Sequence, residues 1–239
     1  CLRRVDGMKH YPEGGDGEVH DDGEIWSGAV WSLYTTLDKP TVFKLVVEAF
    51  FALAPSAGFE AWVDSFIAAD LALNAGANTD AIKLAMWDRG LYRATLPEGT
   101  LSATPNTQAM DMATPSPIPV DTNAKLTITQ PGATAIRAHF DTFAFEIDNA
   151  CLLTHCDNVY VFDGTGHLYG IIGGAAPDSF TPVVPGDTIV LRYVSDFSVT
   201  EAGFHVDRIE FDGVAPPPDA GVDATPMPDA GDENPETGD

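Results

Sequence analysis

The sequence predicts a multi-domain chain: an all-α lobe of about four helices, then an antiparallel β-sandwich, then a disordered acidic tail. Three observations predict it. Apolar residues recur at helical spacing from residue 24 to about 94, the period changes to two over 121–212, and the tail from residue 214 repeats PDAG with almost no apolar bulk. The implied boundaries are 1–96, 97–120, 121–213 and 214–239.

In the first helix Trp26, Val30, Leu33 and Leu37 follow one face. Lys39-Pro40-Thr41 ends it and opens the second, whose stripe is Val42, Leu45, Val46, Ala49, Phe50 and Leu53. Pro55-Ser56-Ala57-Gly58 breaks that helix. The third carries Phe59, Trp62, Val63, Phe66 and Ile67, and NAGANTD turns into a fourth with Ile82, Ala85 and Met86, closed by Gly90. Links this short make antiparallel neighbours. The lobe is small for an independent bundle, and its aromatic stripes call for more partner surface than it offers, so it reads as half of something. Asp64 and Asp70 read as solvated helix positions.

Residues 97–120 are rich in Pro, Thr and Ser without an apolar period and read as a linker. Beyond it, Ile136, Ala138 and Phe140 alternate with Arg137 and His139, and Ile189, Leu191 and Tyr193 flank Arg192. Short strands broken by PGA, DGTG, GG and PGD argue an antiparallel sandwich. In FHVDRIEF the parity of Phe204 and Val206 is opposite to that of Ile209 and Phe211, which a bulge near Asp207 reconciles. Asp163 and Asp187 read as turn residues.

Composition narrows function. The 239 residues are 44% hydrophobic, enough for folded cores, and the formal charge is −24. Such a charge repels phosphates and anionic lipid, so nucleic acid is excluded as a partner, while divalent cations or basic partners suit it. No segment spans a membrane: the most apolar run, LVVEAFFALA, is too short and holds Glu48. Cys151 and Cys156 either close a small disulfide, which points to an oxidising compartment, or form a metal pair; Cys1 is left over. The chain starts without methionine or a signal peptide, and the expectation is a fragment. The tail is of the kind that serves as a stalk in secreted bacterial proteins.

The stretch GEVHDDGEIW reads most simply as a polar helix entry, with Asp22 as cap and Glu24 favouring the helix N-terminus. Taken with RRVDGMKHYP before it and GFEAWVDSFIAAD and NAGANTDAIKLAMWDRGL after it, it also resembles the C-terminal helical lobe of fungalysin-like zinc metallopeptidases, whose mechanism is of the thermolysin type. The resemblance covers roughly residues 1–94. It implies that His20 is catalytic, facing a zinc-bound water and hydrogen-bonding the oxyanion of the tetrahedral intermediate. Asp16 or Asp21 would orient the ring, and Arg3 or Arg4 would bind a carbonyl. No HExxH occurs in the sequence, so the zinc ligands and general base are expected upstream of Cys1, and this chain is not expected to be active alone. A metal site from His10, His20, Asp21 and Asp22 is the minor alternative.

The β-region, through IRAHFDTFAFEI, CDNVYVFDG and TPVVPGDTIVLRYVSDFSVTEAGFHVDRIEF, resembles a CUB domain, a jelly-roll sandwich. The resemblance implies a calcium site from Glu146, Asp157 and Asp196 with Ser198 as a further oxygen donor. Three carboxylates from separate loops suit a hard ion that takes 6–8 oxygens. The two closely spaced cysteines depart from the usual four-cysteine pattern.

The combined expectation is part of a secreted zinc metalloendopeptidase, acting on protein or peptide substrate together with the upstream part of its catalytic domain. The CUB-like domain would be its calcium-binding accessory. The alternative is a non-catalytic extracellular binding protein that uses the CUB-like domain for protein or surface recognition.

Overall fold

The computed structural model describes residues 4–147 and 157–213. Arg3, all three cysteines and the tail lie outside these residues, and with them the readings placed there.

The helices are α1 (Val19–Thr36), α2 (Lys39–Ala52), α3 (Phe59–Asn74) and α4 (Thr79–Trp87). The sequence placed the start of α1 near Glu24 with Asp22 as cap, and both points need correction. Helix α1 begins at Val19, and Glu18 is the cap, its carboxylate accepting from the backbone N–H groups of His20 and Asp21. Asp22 instead accepts from the Asp16 N–H, which holds the loop before the helix. Asp21 and Asp22 then lie in the first turn, where the helix dipole favours negative charge.

The buried stripe of α1 is Ile25, Ala29 and Leu33, with Trp26, Val30 and Leu37 on its half-buried flanks. Together with Leu45, Val63, Phe66 and Met86 it makes the helical core. Asp70 is also corrected: it is buried, and its carboxylate accepts from Asn74, from the backbone and side chain of Asn78, and from Thr79. It ties the α3–α4 turn, whereas Asp64 is exposed.

Nine strands among the described residues form two sheets. They are β1 (Asn106–Ala113), β2 (Asn123–Thr129), β3 (Ala133–Ala144), β4 (Asn158–Asp163), β5 (Leu168–Gly173), β6 (Ser179–Phe180), β7 (Val184–Pro185), β8 (Thr188–Val194) and β9 (Gly203–Gly213). One sheet runs β1-β9-β3-β6 with β7 also on β3, the other β2-β8-β4-β5, and every pairing is antiparallel. Ile136, Phe140, Val159, Val161, Leu191, Val206 and Ile209 fill the space between them. Asp207 is the bulge: His139 pairs with Arg208 while Phe140 pairs with Val206, so the parity of β9 changes there.

The stretch 97–120 contains β1 and is not simply a linker. β1 is an edge strand, mostly exposed, with a register shift between Ala109 and Met112, so its sequence NTQAMDMA shows no alternation. Residues before it are pinned as well: Leu96 N–H to Leu168 O, Gly99 N–H to Val183 O, and the Ser102 hydroxyl to Asp212.

Helices and sandwich share a packed face. Strand β4, NVYVFD, is buried at all six positions. Val159 and Val161 face the sandwich core, while Tyr160 and Phe162 pack with Trp87 of α4, Leu168 and Val194. On the same face Arg192 of β8 is fully buried, bonded to Asn123 at 2.8 Å and paired with Asp88 just after α4.

Candidate metal centre

Three carboxylates converge at one end of the sandwich. Glu146 lies two residues past β3, Asp157 one residue before β4, and Asp196 two residues past β8. Because β4 and β8 pair with Asn158 opposite Val194, the start of one and the end of the other meet. Glu146 arrives from the opposite sheet behind Phe145, which is anchored in the core and by its N–H to Gly174 O at 2.9 Å. One carboxylate oxygen from each acid lies within 4.8 Å of the others, and all three residues are buried.

Internal bonds hold the loops in place. Asp157 Oδ1 accepts the Asp196 N–H at 2.9 Å, and Asp196 Oδ1 accepts the Ser198 N–H at 2.7 Å and its hydroxyl at 2.9 Å. Ser198 therefore stands at the rim of the cluster. Burial, and then the charges of Asp196, Glu146 and Glu13, push the Asp157 carboxyl up to about 7, against the opposing bond from the Asp196 N–H. Like charges this close cannot all ionise cheaply without a cation among them. Among the described residues this is the one grouping of His, Asp and Glu that could hold a metal ion, and its all-oxygen donor set fits calcium, not zinc.

Side chains beside the ligands are apolar and exposed: Ile147 at 58%, Phe197 at 71% and Val199 at 53%. They follow Glu146, Asp196 and Ser198 in the chain, so this end of the sandwich presents an apolar rim.

The other candidates lie apart from this cluster. His20 is the second residue of α1 and exposed; Asp16 accepts from the Glu18 N–H, and Asp21 pairs with Lys9. Arg4 is exposed and bonded to Asp6. The group His10, His20, Asp21 and Asp22 is not assembled as a metal site among the described residues.

His10 is instead buried, its Nδ1 2.8 Å from Glu13 Oε2. Glu13 Oε1 accepts from Asn158 Nδ2 and from the Tyr160 hydroxyl, both at 2.8 Å, and Arg93 donates to that hydroxyl at 2.8 Å. Burial lowers the His10 imidazole, against the opposing charge and hydrogen bond of Glu13. Burial pushes the Glu13 carboxyl up, but His10 and the hydrogen bonds it accepts, that of Tyr160 among them, more than offset it and hold it below the ordinary carboxylate range. The sequence offered only a weak signal for this pair, a His and a Glu three apart in KHYPEGG; their partners come from β4, far along the chain.

No family model matches the chain, and no curated protein matches it. Solved structures that do match include the full extracellular region of zebrafish Gpr126/Adgrg6, at 24% identity over 44% of this chain and 14% of that one, TM-score 0.36. The CUB1-EGF-CUB2 domain of human MASP-1/3 matches at 20% identity over 45% of this chain and 42% of that one, TM-score 0.36. The MASP-1 CUB2 domain bound to Ca2+ matches at 18% identity over 43% of this chain and 90% of that one, TM-score 0.34. The chain spans less than half the length of the first two.

Proposed function

We propose that the sandwich is a CUB-like, calcium-held recognition domain that works outside the cell, and that its metal-bearing end receives a protein partner. The observation that carries this is the convergence of Glu146, Asp157 and Asp196 beneath the exposed Ile147, Phe197 and Val199. Those three acids would hold calcium, with Ser198 as a further oxygen donor; the ion neutralises their repulsion and orders the three loops. A partner with a basic side chain set among apolar ones fits such an end, and the net charge of −24 favours its approach. Calcium at 100 times its dissociation constant should stabilise the fold by about 2.7 kcal/mol. The expected result is a calcium-dependent rise in melting temperature that Asp196→Ala removes; no rise in the wild-type chain argues against the site.

A second reading concerns the helices: that they complete the cleft of a zinc metallopeptidase whose metal ligands lie in another segment. It is favoured by an unpartnered aromatic face on α2, where Phe43 is 63% and Phe51 84% exposed. A cleft lined by Val19, Trp26, Phe59 and Trp62 also opens beside the turn that carries His20. The encoding sequence upstream of Cys1 decides: an in-frame HExxH supports this reading, and a signal peptide abutting Cys1 overturns it. In a protein that contains both parts, His20→Ala should lower turnover by about two to three orders of magnitude if it stabilises an oxyanion. An unchanged rate removes that role.

A further inference from the structure

We propose that Glu13 is a positioning residue of the metal centre, and that through it calcium binding and the docking of residues 7–15 onto the sandwich depend on each other. This rests on the calcium reading above.

Residues 7–15 form a tight turn before α1, with Gly14 N–H to His10 O at 2.7 Å and Gly15 N–H to Pro12 O at 2.9 Å. The helical side grips the turn through Tyr11 N–H to Arg89 O and through Arg89 Nη1 to the carbonyls of Gly7 and Lys9. The sandwich side grips it by two routes that both end at metal-site acids. In the first, Asn158 and Tyr160 donate to Glu13 Oε1, and Asn158 directly follows Asp157. In the second, Asn123 donates to Met8 O, Thr122 exchanges bonds with Ser195, and the Asp121 N–H binds the Asp196 carbonyl at 2.6 Å.

Glu13 is buried and bonded at 2.8 Å to Asn158, the residue after Asp157, so its charge bears on the acid cluster. Without a cation its negative charge adds to that of the acid cluster and opposes docking. With a dication among those acids the sign reverses, and the same charge is drawn toward the site. Calcium therefore favours the docked segment, and by reciprocity the docked segment favours calcium. Arg89 passes this to the helices, because it lies two residues past α4 and holds the turn.

The test uses the full chain with and without calcium. Hydrogen exchange of the amides in residues 8–15 should slow about fivefold or more on calcium binding. Glu13→Gln keeps the shape and an acceptor for Asn158 and Tyr160 but lacks the charge. It should weaken calcium binding about fivefold and shrink the calcium-induced rise in melting temperature, while the midpoint in EDTA stays near wild type. If Glu13 were merely structural, both midpoints would fall together and the calcium increment would stay, which would overturn the inference. Should the variant not fold, wild-type exchange decides alone. Calcium binding that leaves exchange at 8–15 unchanged overturns this inference only; absence of calcium binding overturns the metal reading with it.

Discussion

Asp157 shows how a single carboxyl reports on the whole acid cluster. In calcium-free protein it keeps its proton to about pH 7, whereas an ordinary aspartate loses it near 3.8. Between these values the folded state binds more protons than the unfolded one, so stability falls as pH rises and its contribution is gone above about 7. Chemical denaturation in EDTA across pH 4 to 7 should show that decline, and Asp157→Asn should flatten it. Calcium displaces the same proton, so its apparent affinity should rise over this range by up to about tenfold per pH unit. Gly90 tests the neighbouring turn. Its φ is +69°, and a Cβ there would lie 1.9 Å from Tyr11 O and 2.5 Å from His10 Cε1. Gly90→Ala should cost about 3 kcal/mol in equilibrium unfolding, because backbone and not a flexible side-chain tip stands in the way.

Among the elements, β4 and α4 decide how the two halves meet. Trp87 lies against Tyr92 and His167, and its indole N–H donates to Ala94 O at 3.0 Å. Trp87→Ala should cost about 3–5 kcal/mol, since it opens a cavity in the shared face and strips cover from Tyr160 and Phe162. The elements also show where the sequence is readable. The stripes of α3 and α4, the alternation of β3 and β8 and the parity break at Asp207 were legible, because each is a local pattern set by burial on one face. The buried stripe of α1, by contrast, is Ile25, Ala29 and Leu33, leaving Trp26, Val30 and Leu37 half-buried, and Phe50 of α2 is exposed. β1 was not, because an exposed edge strand is specified by its partner β9 and carries no alternation of its own. The start of α1 was misplaced because a glutamate caps it, outside the usual Ser, Thr, Asp and Asn set.

At the scale of the molecule, the continuous run of β4 is the visible mark of a sheet covered on both faces. What covers it could not be read from the sequence, since Tyr160, Arg192 and Asp88 meet only in the folded chain. That Glu146, Asp157 and Asp196 come together was legible only through the resemblance of their motifs to a CUB domain, whereas Glu13 and His10 were not legible, because tertiary packing alone brings them to β4. The shared face predicts that residues 121–213 expressed alone will expose Tyr160, Phe162 and the fully buried Arg192. The full chain should therefore unfold in one calorimetric transition, and the isolated sandwich should be markedly less stable; two independent transitions would contradict the shared core.

The central claim is that Glu146, Asp157 and Asp196 form a calcium site. Isothermal titration of calcium into the full chain at neutral pH, beside Asp196→Ala, tests it most directly. One saturable site is expected in the wild-type chain, and the variant should lack it. Equal heats in both proteins, or no binding in either, would contradict it.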